Sequence, residues 1–133
     1  MKIYDCFMFF DEEMLLDLRL NIMDKYLDKF VITEATYMHS GKPKKLLFDI
    51  NKFSKFKDKI IYNVVDKEPT NIETIFEEDK DEKDTRGQKL VNNSNKREHY
   101  QRDMAQESLK VLAEAKPEDI ILINDIDEIP NLD

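Results

Sequence analysis

Two glycines in 133 residues, Gly41 and Gly87, are too few and too far apart for a glycine-rich phosphate cradle. The dinucleotide fingerprint needs three within six positions, and a P-loop needs a second glycine five residues before its Gly-Lys, where this chain has Thr36. A phosphate must therefore be held some other way. A single cysteine, Cys6, excludes an internal disulfide and a cysteine-based zinc site; set in an apolar run, it reads as a buried, inert thiol that suits a reducing compartment. No run approaches the roughly twenty apolar residues of a membrane span. A strand-like pattern begins at once and leaves no signal peptide, so the chain as given reads as cytoplasmic. Basic charge is also short: a net charge of -8 argues against a broad nucleic-acid surface. The Asn92-Asn93-Ser94 sequon carries little weight without a secretion signal.

A hydrophobic fraction of 41% is enough for one core, and nothing marks a second domain or a repeat. Residues 2–10 form an aromatic and apolar first strand. Asp11-Glu12-Glu13 supplies an N-cap and first-turn acids for a helix whose leucine-rich face runs to about Leu27. Lys29 to Ala35 is a second strand and 36–45 a polar loop. Leu47, Ile50, Phe53 and Phe56, three apart, predict a short helix over 46–56, and Lys59 to Val65 a third strand. Periodicity fails over 67–95, which includes the mixed-charge run 77–84, so that segment is expected to be a mobile loop. Arg97 to Ala115, with Tyr100, Met104, Leu109, Leu112 and Ala113 near one face, is the strongest helix. Alternation of strands with short crossovers predicts an α/β, Rossmann-like, mostly parallel sheet flanked by helices.

The final strand carries the chemistry. Ile120-Ile121-Leu122-Ile123 reads as a strand buried on both faces and runs into Asn124-Asp125-Ile126-Asp127-Glu128. Ligands of open α/β sheets bind beyond the carboxyl ends of the strands. On an extended chain Asp125 and Asp127 share one side, where they would hold a hard divalent cation and a phosphorylated ligand while Ile126 packs inward. The plainer reading is a solvated turn that caps the strand, ended by Pro130.

Six ordered motifs resemble glycosyltransferase family 17: Asp5-Cys6-Phe7-Met8-Phe9-Phe10, Leu16-Asp17-Leu18-Arg19-Leu20, Thr33-Glu34-Ala35, His39-Ser40-Gly41-Lys42-Pro43, Arg97-Glu98-His99-Tyr100-Gln101-Arg102-Asp103, and Asn124 to Pro130. This is the family of the transferase that adds bisecting N-acetylglucosamine, and the motifs cover almost the whole chain. The resemblance implies a GT-A fold, a UDP-sugar donor (with N-acetylglucosamine as the sugar), a glycan or glycoprotein acceptor, Mn2+ or Mg2+, and inversion at the anomeric carbon. It puts the metal on Asp125 and Asp127. It puts donor binding on Glu34, His39, Lys42, Arg97, Arg102 and Asp103. Asp11 departs from the asparagine expected after the paired phenylalanines, and 77–84 has no counterpart.

Each donor residue has a plainer reading. Arg102 either binds diphosphate or pairs with Glu98 one helical turn earlier. His39 and Lys42 either contact phosphate or are ordinary turn residues, and Glu34 either accepts from the nucleoside or is a strand-end surface acid. Phe7, Phe9 and Phe10 read as core rather than a base-stacking platform. The family's domain continues beyond its metal motif, whereas Asp133 stands three residues after Pro130. The acceptor half and the catalytic base are therefore expected beyond Asp133. Glu128 is the alternative base, although strand alternation turns it away from Asp127. A non-catalytic nucleotide-sugar or metal-binding module is the competing function, and an aspartate-based phosphoryl-transfer domain, which the motifs oppose, is a third.

Overall fold

A computed structural model describes residues 1–80, 85–111 and 114–133. Four strands, β1 (Ile3–Met8), β2 (Lys29–Ala35), β3 (Ile60–Val65) and β4 (Ile120–Ile123), pair in parallel in the order β3-β2-β1-β4. The helices α1 (Glu13–Met23) and α2 (Thr85–Val111) lie on opposite faces. This is the expected α/β, Rossmann-like architecture. The chain winds outward from β1 through β2 to β3 and then returns to add β4 on the other side of β1. The order therefore reverses between β1 and β4, the place where an open parallel sheet has a crevice at its carboxyl edge.

Period-two alternation sorts the strands between the two faces. Phe7 and Phe9 of β1 and its extension, with Phe30 and Ile32 of β2, pack against Leu16, Leu20 and Met23 of α1 and against Phe53 and Phe56. Tyr4, Cys6 and Val31 face Leu109 of α2, and Ala35 and Val65 face its Tyr100 and Met104. Burial at this level contributes about 1.5–3 kcal/mol per large apolar side chain. It also pushes the Cys6 thiol up to about 12, so that it is neutral and unreactive as expected.

Three local expectations are corrected. The segment 67–95 is helical from Thr85, so α2 starts twelve residues before Arg97. Its first turns are covered by the preceding segment: Asn93 donates to the Glu73 carbonyl at 2.9 Å and accepts from the Glu73 amide at 2.8 Å, and Lys89 pairs with Asp79 at 2.8 Å. These polar contacts leave no apolar period for α2's first turns. Leu112, Ala113 and the end of the charged run (81–84) lie outside the described residues.

The helix expected over 46–56 is a kinked 3-10 segment, Ile50–Lys59, with Phe53 off helical angles; Leu46 and Leu47 are exposed. Of the acidic trio before α1, Glu12 is the N-cap and Glu13 the first-turn acid; the Glu12 side chain makes no cap bond to the helix, and its carboxylate folds back onto the Phe10 and Asp11 amides at 3.0 and 3.1 Å. Finally, β4 is an edge strand, not one buried on both faces. Ile120, Ile121 and Ile123 are 42%, 40% and 61% exposed because β1 is its one neighbour among the described residues.

Candidate functional site

A cleft of about 520 Å³ opens at the carboxyl edge of the sheet, within the size range of small-molecule sites. Met8, Phe9 and Phe10 enter it from the end of β1, Ala35 and Tyr37 to His39 from the end of β2, Glu98 and Gln101 from α2, and Asp125 to Asp127 from the end of β4. Phe10, 40% exposed, offers a ring face there, whereas Phe7 and Phe9 are core.

The Asp125–Glu128 segment is a closed turn and not an extended strand end, which corrects the reason for expecting both aspartates on one side. The Glu128 amide donates to the Asp125 carbonyl at 2.9 Å, and the Asp125 amide donates to Glu128 Oε1 at 3.0 Å. Ile126, 6% exposed, anchors the turn in the core, and both aspartates line the cleft. Glu128 does not: its carboxylate is spent on the turn's own backbone.

Below the turn lies a pair that the sequence reading did not single out for a role. Asp5 and Arg19, both fully buried, meet through two parallel bonds, Nε to Oδ2 at 2.8 Å and Nη2 to Oδ1 at 2.7 Å. The remaining nitrogen, Nη1, donates to the carbonyls of Asp125, Ile126 and Glu128 at 3.1, 3.2 and 2.7 Å. The signal was a lone acid in an apolar strand facing a lone arginine on a leucine-rich helix face. Burial of such charges is tolerated when they are paired and fully hydrogen-bonded.

Above the turn, Arg102 of α2 donates to Asp125 Oδ1 at 2.7 Å and to Glu98 Oε1 at 3.1 Å. The helical-turn pair with Glu98 is therefore real, and Asp125 joins it. Asp127 has no hydrogen-bond or ion-pair partner among the described residues.

The other candidates fall in different places. Glu34 is fully buried rather than a surface acid, and its carboxylate accepts from the Leu47 and Phe48 amides at 2.7 and 3.1 Å, from Tyr62 Oη at 2.6 Å, and from Lys44 Nζ. Burial pushes its pKa up, but those four donors together hold it below the ordinary value. It fastens the loop after β2. Lys44, not Lys42, lines the cleft, beside the Phe10 ring at 5.3 Å. The Lys42 side chain and Asp103 are exposed and line no part of it.

His39 lines the cleft, and its carbonyl accepts from Arg97 Nη1 at 2.9 Å. Arg97 is nearly buried and also pairs with Glu68 at 2.6 Å, so it pins the His39–Pro43 loop from behind. Gly41, at φ +92°, lets that guanidinium approach: a Cβ there would stand 2.7 Å from Arg97 Nη2.

The cleft is acidic. Among the described residues, Glu12, Glu98, Asp125 and Asp127 line it against one ammonium, Lys44. Two aspartate carboxylates on one turn are a hard-oxygen donor set. No three histidine, cysteine or acidic side chains among the described residues converge to hold a metal ion by themselves. Any cation here must take most of its oxygens from a ligand and water. Among the described residues no helix is long and apolar enough to cross a membrane.

Compared with known proteins, residues 1–133 match the family model Glycosyltransferase family 17 over their whole length. No curated protein and no solved structure matches the chain.

Proposed function

This chain belongs to glycosyltransferase family 17, and from that premise we propose that its cleft binds the UDP-sugar donor of an inverting, metal-dependent transferase of the GT-A type. The sugar proposed is N-acetylglucosamine and the acceptor a glycan. One observation carries the reading: Asp125 and Asp127 stand on a closed turn at the sheet's reversal point, and Asp127 has no partner among the described residues. In so acidic a cleft a diphosphate is repelled unless a countercharge enters with it. A divalent cation, Mn2+ or Mg2+, when bound there, supplies charge neutralisation to the departing diphosphate.

The chain's own groups then have distinct work. Asp125 and Asp127 are the oxygen donors to the cation. Lys44 Nζ, which lines the cleft, and the Arg102 guanidinium, which lies outside the lining but touches Asp125 at its rim, are the cations nearest a bound diphosphate and are assigned charge-assisted hydrogen bonds to its oxygens. The exposed Phe10 ring offers the base a face on which to stack. Glu34 and Arg97 act behind the surface, holding the loop that presents His39 and Lys44. No cleft carboxylate is assigned as the acceptor's base, since the Phe10 and Asp11 amides occupy Glu12 and Arg102 occupies Glu98.

Calorimetric titration with UDP, with and without Mn2+, tests the reading. We expect UDP to bind the parent chain in a Mn2+-dependent way and the dependence to vanish in Asp125→Asn/Asp127→Asn; unchanged dependence in the double variant removes the assignment. A second reading, a donor-binding module without transfer activity, is favoured by the use of Glu128 within its own turn. Sugar release from the donor to a glycan acceptor separates the two.

A further inference from the structure

We propose that Arg19 is a positioning residue for the Asp125–Glu128 turn, setting from below the geometry with which Asp125 and Asp127 meet a cation. The inference rests on the donor-binding reading above and concerns a residue outside the cleft.

The strand that delivers the turn ends at Ile123, and beyond it one sheet-like bond remains among the described residues, from the Asn124 amide to the Cys6 carbonyl at a long 3.3 Å. Little backbone pairing therefore defines where the aspartates sit. Arg19 supplies what is missing. Its fork on Asp5 fixes the guanidinium plane, and the Phe7 ring lies 4.8 Å from its central carbon. That leaves Nη1 aimed at the turn, where three carbonyls converge on it within 3.2 Å. With the Asp125, Ile126 and Glu128 carbonyls and the Ile126 side chain all committed inward, the carboxylates of Asp125 and Asp127 are left on the cleft side.

Stability alone is a poor account of this arrangement, because a buried ion pair contributes little over well-packed apolar residues of the same volume. An apolar replacement would not orient three carbonyls. Lysine would keep the charge but not the planar fork, so it cannot hold both Asp5 and the carbonyls in one geometry. Partners that orient ligand-bearing groups typically change metal affinity 10- to 100-fold when altered.

The test is Arg19→Lys in the full 133-residue chain, with UDP titrated in the presence of Mn2+ at a temperature where circular dichroism shows parent and variant fully folded. We expect the Mn2+-dependent UDP affinity to fall at least tenfold, about 1.4 kcal/mol, a change that a purely structural role would not produce in folded protein. Parental affinity in a folded Arg19→Lys chain overturns the proposal. If that variant does not fold, arginine side-chain NMR of the parent decides: the Arg19 Nη1 protons should shift on adding Mg2+ and UDP together, and their indifference overturns the proposal. An unsubstituted chain with no cation-dependent UDP binding fails differently, by removing the reading on which the inference rests.

Discussion

Two arginine–aspartate pairs hold the same turn from opposite sides, each closed at 2.7 Å, and their surroundings make them different interactions. The lower pair, Asp5–Arg19, is fully buried; in the upper pair, Arg102 and Asp125 are 39% and 45% exposed. In water-free surroundings a lost partner strands a charge, whereas near solvent water replaces it at little cost. Distance therefore says little about which pair matters to the fold. The lower arginine is suited to hold the turn rigid, and the upper one is free enough to exchange a carboxylate for a phosphate.

The largest expected effect breaks the lower pair. Asp5→Ala should destabilise the chain by about 3–5 kcal/mol in urea denaturation, because Arg19 then remains charged and buried. A loss below about 1 kcal/mol would erase the contrast with Arg102.

Glu34 sharpens the comparison as a buried carboxylate whose partners are mostly neutral. Glu34→Gln should cost about 1–3 kcal/mol at neutral pH, through donors left poorly matched. Since the folded-state pKa of Glu34 lies below its ordinary 4.5, its contribution is complete above that value and is lost as pH falls through the lower folded one. The stability gap between parent and Glu34→Gln should therefore narrow in acid. A gap that stays constant down to about pH 3 would mean that burial cancels the four hydrogen bonds, and one that widens in acid would mean that burial outweighs them.

A third arginine, Arg97, lies between the extremes, with side-chain exposures of 10% for itself and 41% for Glu68. Gly41→Ala places a methyl group against its guanidinium and strains a left-handed backbone, for a cost of about 1–2 kcal/mol in thermal unfolding. Combining it with Arg97→Ala should be less than additive, since the collision disappears.

The smallest effect on stability belongs to Arg102→Ala, within about 0.5 kcal/mol. Its UDP affinity in the presence of Mn2+ should nevertheless fall by about 1.5–3 kcal/mol, the range for hydrogen bonds to charged groups. A change in melting temperature with UDP affinity intact would assign Arg102 to the surface network of Glu98 and Asp125 alone.

Parts of this were readable without coordinates. The β2 limits and the parallel α/β class followed from apolar runs separated by polar turns, because burial between helices imposes that pattern on the strands at the centre of such a sheet. The pattern misled at β4, where an apolar run looks the same whether it ends at the centre of a sheet or at its edge. It misled again over 85–96, where α2 is packed through Asn93 and Lys89 and carries no apolar stripe. In the cleft, the acidic pair was visible as a motif, but Lys44 was passed over for Lys42. Nothing local separates two lysines of one loop until Tyr37 pairs with Pro43 and turns one of them inward.

By itself the sequence determined what short-range periodicity can carry: four strands, two main helices, and two aspartates placed just beyond a strand's carboxyl end. Tertiary structure alone decided how those aspartates are presented. Arg19 reaches Asp5 across 14 positions and the Asp125 carbonyl across 106, and Arg102 reaches Asp125 across 23. Strand and helix periods describe which face a residue takes, whereas an ion pair forms only where packing brings two faces together.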